Sequence, residues 1–140
     1  MAQQIKAVYA FDVDDTLGIQ GAPFPGPVTL NSIAQLRAER ILTGICGNFE
    51  VLFKTYQDWF QFFSFYGPTQ LDAHLGMVAH HQYKHLQLIG ITKDIRADKY
   101  VMVGNVRGDP KARPGSQDDV QARLANWNFI SETDFAKGKR

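Results

Sequence analysis

The feature that most constrains the fold is an apolar run, from Ile5 to Leu17, that ends in a group of acids. It reads IKAVYAFDVDDTL. The part before the acids is apolar with almost no alternation, which is typical of a strand buried on both faces of a parallel sheet. Asp12, Asp14 and Asp15 then follow at its carboxyl end. Ligands of open α/β sheets bind in the crevice at that end, so we expect these carboxylates to face a site.

Carboxylates this close repel one another unless a cation or protons intervene. A bound divalent metal relieves the repulsion, and oxygen ligands favour magnesium or calcium. The sequence therefore predicts a metal site at the end of the first strand.

Strand-like and helix-like segments alternate along the rest of the chain. A loop rich in glycine and proline, residues 18–27, follows the acids, and Thr29 is placed to cap the first helix. This alternation predicts an α/β fold, a Rossmann-like three-layer α/β/α sandwich with a mostly parallel five-stranded sheet. The predicted strands are 5–11, 41–43, 60–66, 100–103 and 127–131, and the predicted helices are 30–36, 49–59, 71–89 and 118–126.

Length and charge narrow the class of protein. The 140 residues predict one domain over residues 1–135, followed by a short tail, 136–140. With 15 basic and 14 acidic residues the net charge is +1, which argues against binding to nucleic acid or to an anionic membrane. Cys46 is the only cysteine, and no signal-like start or long apolar span occurs, so we expect a cytoplasmic location.

The segment FDVDDTL resembles the first signature of the haloacid dehalogenase superfamily, an apolar strand that delivers Asp-x-Asp-x-Thr. The matching residues are Asp12, Asp14 and Thr16. The resemblance implies that Asp12 is the nucleophile and Asp14 the general acid and base. It also implies a magnesium ion held between Asp12, the backbone carbonyl of Asp14 and a downstream acid. The roles agree with the chemistry, since an ionised carboxylate can attack phosphorus while a second carboxyl group protonates the leaving alcohol.

Two further signatures of the superfamily have counterparts in order along the chain. Thr43, in RILTG, stands where a Ser or Thr ends the second strand, and its hydroxyl would donate to a phosphate oxygen. Lys84 stands where a lysine precedes the fourth signature, and its cation would offset the carboxylates and the phosphate. Lys93 and Lys99 are rival positions for this lysine.

The fourth signature departs from the pattern. Asn105 follows Gly104 where an Asp is usual. An amide oxygen can coordinate magnesium but brings no charge, so metal affinity is expected to be lower. Asp109 keeps the customary spacing and is the preferred second acid, so the predicted metal ligands are Asp12, Asp14, Asn105 and Asp109. The alternative is Asp118 with Asp119, at the start of a helix, where acids are also favoured for structural reasons.

No cap domain fits between the signatures, which in this superfamily accompanies an open site or one closed by a neighbouring subunit. The aromatic residues between 49 and 66 are expected to pack in the core, with a homo-oligomer interface as the second possibility. Four histidines occur between residues 74 and 85, and His81 and His85 are spaced as zinc ligands, but an exposed helix surface is the simpler interpretation.

The predicted function is a magnesium-dependent hydrolase of phosphomonoesters, with a phosphorylated substrate of unknown class. The alternative is a catalytically degraded domain that binds a phosphorylated ligand or protein without turnover. A receiver domain is disfavoured, because its phosphoacceptor ends the third strand, where this chain has Phe65-Tyr66-Gly67.

Overall fold

The computed structural model describes residues 5–67, 84–106 and 117–140. These residues form a four-stranded parallel sheet with the strand order β2-β1-β3-β4. Val8 of β1 is opposite Leu42 of β2 on one side and Tyr100 of β3 on the other. The predicted α/β class with a parallel sheet is confirmed. The strands are β1 (Val8–Phe11), β2 (Leu42–Ile45), β3 (Tyr100–Gly104) and β4 (Asn128–Ser131).

Helices connect the strands. Thr29 caps the first helix as predicted, because its hydroxyl accepts a hydrogen bond from the Ser32 amide at 3.2 Å. A helix after β4, absent from the sequence prediction, begins in the same way, with Ser131 accepting from the Asp134 amide at 3.2 Å. The helices in the described ranges are α1 (Leu30–Ala38), α2 (Phe49–Thr55), a 3₁₀ turn (Trp59–Gln61), α3 (Lys84–Asp94), α4 (Asp118–Leu124) and α5 (Glu132–Ala136).

The buried side chains of β1 alternate between two hydrophobic clusters. Tyr9 and Phe11 belong to a cluster that includes Ile33 and Leu36 of α1 and Phe135 of α5. Val8 and Ala10 belong to the other, which includes Leu88 and Ile91 of α3 and Ala122 of α4. Successive residues of a strand point to opposite faces, so β1 is covered on both of its faces. This burial accounts for its unbroken apolar sequence.

The predicted fifth strand is wrong, since residues 60–66 contain the end of the 3₁₀ turn and no strand. The segment nevertheless runs beside β2. The Ser64 amide donates to the Thr43 carbonyl at 2.8 Å, and the Ile45 amide donates to the Phe65 carbonyl at 2.8 Å. A regular parallel ladder would take the amide and the carbonyl from the same residue of the segment. The pairing therefore shifts by one residue, and this shift interrupts the ladder.

The order of the strands gives the sheet a topological switch point. From β1 the chain passes first to β2 on one side and later to β3 on the other, so the connections diverge between β1 and β3. Open α/β sheets bind ligands at such a switch point, outside the carboxyl ends of the strands. Asp12 follows β1 and Asn105 follows β3. In the described part of the chain, no helix is both long enough and apolar enough to cross a bilayer.

Candidate active site

The candidate site is built around Asp12, the first residue after β1. Its amide donates to the Val103 carbonyl at 2.9 Å, so the backbone is still held by β3 at this residue. The side chain is buried, with the whole residue 3% exposed. A carboxylate removed from water in this way must be paired or hydrogen-bonded.

Both oxygens of the Asp12 carboxylate are hydrogen-bonded. Oδ1 accepts from Nζ of Lys84 at 2.8 Å. Oδ2 accepts from the Asn105 side-chain amide at 2.9 Å and from the Thr16 hydroxyl at 3.1 Å. These contacts hold the carboxylate in one orientation.

Lys84, in the first turn of α3 as described, is fully buried between two carboxylates. Its Nζ lies 2.8 Å from Asp12 Oδ1 and 2.8 Å from Asp118 Oδ1. Burial alone would lower the pKa of Lys84, but the carboxylates of Asp118 and Asp12 outweigh it and hold that pKa above its ordinary value. The ammonium is therefore charged. Of the three candidate lysines, Lys84 is the one in the cluster, because Lys93 is exposed and Lys99 lies over the ring of Tyr9.

The Asn105 side chain joins the cluster through its amide nitrogen. Nδ2 donates to Asp12 Oδ2 at 2.9 Å and to the Asp14 backbone carbonyl at 2.8 Å, with a longer contact of 3.2 Å to the Thr16 hydroxyl. The opposite orientation of the amide would place its oxygen against two acceptors. Asn105 is thus a hydrogen-bond donor at the position where the sequence predicts a metal ligand.

Asp14 belongs to the same site, because its backbone carbonyl accepts from the Asn105 side chain. Its Oδ2 accepts from the Asn48 side-chain amide at 3.2 Å, and the residue is 8% exposed. The turn that carries it depends on Asp15, which has a positive φ of 63° and donates its amide to the Phe24 carbonyl at 2.7 Å. Asp15 thus has a structural position in the turn, and Asp14 presents its carboxyl group towards Asn48.

Asp118 supplies the third carboxylate, from the start of α4. Its Oδ1 accepts from Lys84 at 2.8 Å and its Oδ2 accepts from the Asn105 backbone amide at 3.0 Å. Burial raises the pKa of Asp118 to about 6, Lys84 opposes the shift and the Asp12 charge adds to it. Its neighbour Asp119 lies 3.6 Å from Arg123 in a more exposed pair. Between these two acids, Asp118 is the one at the site, and Asp109 lies outside the described residues.

Thr43 does not reach the cluster. Thr43 lies opposite Tyr9 of β1, and Tyr9 precedes Asp12 by three residues. The strand β2 continues past Thr43 to Ile45, so Thr43 is not at the strand end where the site lies. Its hydroxyl donates to the Phe62 carbonyl and accepts from the Arg37 guanidinium, at 3.0 Å in the second case. The predicted contact of Thr43 with a phosphate is therefore corrected to a structural role between β2 and the segment after the 3₁₀ turn.

Two residues that the sequence prediction does not include, Gly47 and Asn48, also contact the site. Both follow the end of β2. A Cβ on Gly47 would lie 2.6 Å from Asp12 Oδ1, so a glycine is needed for the close approach of this loop to the carboxylate. Asn48 binds Asp14 as described above. Placing the end of β2 at Ile45 instead of Thr43 would have pointed to both residues, since binding residues follow strand ends.

The histidine prediction falls largely on residues outside the described ranges, since His74, His80 and His81 lie there. The remaining one, His85, contacts Gln121 of α4. Its backbone amide donates to Gln121 Oε1 at 2.9 Å, and its ring Nδ1 is 2.7 Å from the same oxygen. Within the described ranges no three His, Cys, Asp or Glu residues group as metal ligands.

Magnesium can be tested against the donors that surround Asp12. The Asp12 carboxylate, the Asp14 carbonyl and the Asn105 amide carry oxygens of the kind that magnesium prefers. The Asn105 nitrogen lies 2.9 and 2.8 Å from the first two oxygens. Neighbouring oxygens around an octahedral ion with bonds of about 2.0–2.1 Å are about 2.9 Å apart. The donor set fits magnesium provided that the amide oxygen replaces the amide nitrogen.

Compared with profiles of protein families, with curated proteins and with solved structures, the chain matches none.

Proposed function

We propose that the protein is a phosphomonoester hydrolase of the haloacid dehalogenase type, which transfers a phosphoryl group to Asp12 and then to water. The observation that carries the proposal is the state of Asp12. Its buried carboxylate lies at the switch point of a parallel sheet, is bonded to the Lys84 ammonium at 2.8 Å and precedes a second acid, Asp14, by two residues. This is the arrangement that an ionised nucleophile beside a proton donor requires.

In the first step an oxygen of Asp12 attacks phosphorus and the bond between phosphorus and the ester oxygen breaks. The product is an acyl phosphate on Asp12, and the leaving alcohol takes a proton from the carboxyl group of Asp14. Asn48 orients that carboxyl group through its hydrogen bond of 3.2 Å. Lys84, 2.8 Å from Asp12, supplies positive charge as negative charge gathers on the phosphoryl oxygens.

In the second step the Asp14 carboxylate takes a proton from water, and the resulting hydroxide attacks phosphorus. The bond from phosphorus to Asp12 breaks, inorganic phosphate leaves and the Asp12 carboxylate is restored. Asp14 ends the cycle protonated, as it began. Asp14 is 8% exposed against 3% for Asp12, so of the two acids it is the one nearer to solvent.

Magnesium belongs to the proposal as the cofactor. Among the described residues, the groups that would hold it are the Asp12 carboxylate, the Asp14 carbonyl and the Asn105 side-chain oxygen, and the predicted ligand Asp109 lies outside the described ranges. When bound, it would neutralise the charge of the phosphate and orient the phosphoryl group for in-line attack. Asp118 lies beside these groups, with Oδ1 accepting from Lys84 and Oδ2 accepting from the backbone amide of Asn105.

The proposal also covers the layer arrangement of the fold and the location in the cell. We assign the chain to a Rossmann-like three-layer arrangement without a cap domain and to the cytoplasm. A phosphorylated substrate would then approach an open crevice. The class of substrate is set by the loops around the crevice and is left open by the residues that bind the phosphoryl group.

The test is hydrolysis of p-nitrophenyl phosphate in excess magnesium, followed by a panel of sugar, nucleotide and protein phosphates. We expect Asp12→Asn to abolish turnover, since an amide is not a nucleophile, and Asp14→Asn to leave a trapped acyl phosphate at most. Asp119→Asn is the matched control, because it makes the same change on the surface pair with Arg123. Turnover by Asp12→Asn at the wild-type rate would exclude the mechanism.

A second function is a domain that binds a phosphorylated ligand without turnover. The observation that favours it is Asn105, whose amide already donates to the proposed nucleophile at 2.9 Å. Calorimetric binding of phosphorylated compounds by a protein that hydrolyses none of the panel would establish this function in place of the first.

A further inference from the structure

We propose that the side-chain amide of Asn105 does the work of a divalent cation between Asp12 and the Asp14 carbonyl, and that Mg²⁺ binds only when this amide rotates and presents its oxygen. The inference rests on the proposed function for its choice of cation. It concerns how the site is held together, which can be measured without any turnover.

The first support is the pair of oxygens that the amide contacts. Nδ2 donates to Asp12 Oδ2 at 2.9 Å and to the Asp14 carbonyl at 2.8 Å. These are two of the oxygens that would face the metal. An amide group has two hydrogens on its nitrogen, so it can donate one to each oxygen and relieve the repulsion that a cation would otherwise relieve.

The second support is that the backbone of Asn105 is fixed. Its amide donates to Asp118 Oδ2 at 3.0 Å, its carbonyl accepts from the Asp118 amide at 3.4 Å, and the residue is 3% exposed. Rotation of the terminal amide is therefore the movement that exchanges nitrogen for oxygen at this point. An entering ion must first break the two hydrogen bonds, so the amide lowers the affinity for the metal as well as holding the site without it.

Asparagine and aspartate have opposite effects on this site. An ionised aspartate has no hydrogen to donate, so its oxygens would face Asp12 Oδ2 and the Asp14 carbonyl with nothing between them. Such a site needs a cation to be stable, whereas the site with Asn105 does not. The dependence of folding on metal should therefore appear when Asn105 is replaced by aspartate.

The first experiment measures the melting temperature of wild type and Asn105→Asp in EDTA and in millimolar Mg²⁺. We expect the variant to melt about 5–10 °C below wild type in EDTA, because a buried charge replaces two hydrogen bonds, and to recover most of this loss in Mg²⁺. The wild type should respond less. Asn128→Asp is the control, since it makes the same change at an exposed residue at the start of β4. A variant as stable as wild type in EDTA overturns the inference.

Calorimetry of Mg²⁺ binding gives the second measurement. Asn105→Asp should bind Mg²⁺ about ten- to a hundredfold more tightly than wild type, the usual size of effect for a changed group beside a metal. Equal affinities would show that the amide is no obstacle and would overturn the inference.

The third measurement uses the wild-type protein alone and is independent of how the variant folds. In nitrogen-15 spectra the Asn105 side-chain NH₂ signals, assigned by their loss in Asn105→Asp or by sequential experiments, should shift and exchange faster with water as Mg²⁺ binds. Signals that stay unchanged while calorimetry shows binding overturn the inference. None of the three measurements involves hydrolysis, so an inactive protein would defeat the proposed function and leave this inference standing.

Discussion

Among the single residues of the site, Lys84 is the one that balances its charge. Asp12 and Asp118 are buried on either side of it, and each has an oxygen 2.8 Å from its ammonium. Without this cation the two carboxylates would be buried and uncompensated. Breaking a buried pair by removing one partner costs far more than the pair itself contributes, because the remaining charge loses both its partner and water.

Lys84→Met should therefore destabilise the protein by about 3–5 kcal/mol at neutral pH. The methionine keeps much of the volume of the side chain and removes only its charge. The measurement is the free energy of unfolding from urea titration, with Lys93→Met, on the exposed side of the same helix, as the control. The control should stay within about 0.5 kcal/mol of wild type. Equal free energies for the two variants would show that Lys84 is not the neutralising cation.

At the scale of elements, the site depends on close packing between the end of β3 and the start of α4. Gly104 is the last residue of β3, and a Cβ on it would lie 2.3 Å from Asp118 Oδ2. Asp118 cannot move away without losing its bonds to Lys84 and to the Asn105 amide. A small residue at the end of β3 thus allows α4 to bring its carboxylate against the strand.

Two replacements of glycine by alanine test this packing, one at the packed position and one at an open position in a helix. Gly104→Ala should destabilise the protein by about 1–3 kcal/mol, because the added methyl group overlaps Asp118. Gly90→Ala, in α3, should stabilise it by about 0.5–1 kcal/mol, because a Cβ there meets nothing within 4 Å and alanine favours the helix. Both values come from the same urea titrations. A stabilising Gly104→Ala would refute the packing of α4 against β3 described above.

The whole molecule shows which parts of the site the sequence could predict. The buried strand, Asp12, Asp14 and Lys84 follow from the apolar pattern and the order of motifs, and the parallel α/β sheet is confirmed. Thr43 was misplaced because the end of β2 is set by its pairing with β1, in which Ile45 lies opposite Phe11. The length of a strand to within two residues is a tertiary property.

Two other differences have similar causes. The expected fifth strand fails because its pairing with β2 shifts by one residue, which an aromatic-rich sequence does not reveal. Spacing favoured Asp109 over Asp118 as the second acid, whereas the structure places Asp118 at the site and Asp109 lies outside the described residues. In both cases the position of the residues in space depends on contacts with distant segments, which the residue types alone do not give.

For the molecule as a whole, the titration of Asp118 should make the free energy of unfolding depend on pH. Its pKa is raised from 3.8 to about 6 in the folded protein, first by burial, so the folded state holds this proton more tightly than the unfolded state. The associated stabilisation is present below the unfolded pKa and is lost as the pH rises through the folded pKa. The loss amounts to on the order of 2–3 kcal/mol between about pH 4 and pH 7.

Asp118→Asn removes this titration, so the difference between the two proteins isolates it from the other acids. The asparagine carries a fixed cost, because its NH₂ faces either Lys84 or the Asn105 amide. Relative to wild type, the variant should therefore become progressively more stable as the pH rises from about 4 to 7, when free energies of unfolding are measured across that range. Asp119→Asn controls for the loss of an acid from the first turn of α4. A difference between Asp118→Asn and wild type that is constant with pH, or that changes in the opposite direction, would mean that the Asp118 pKa is not raised in the folded protein.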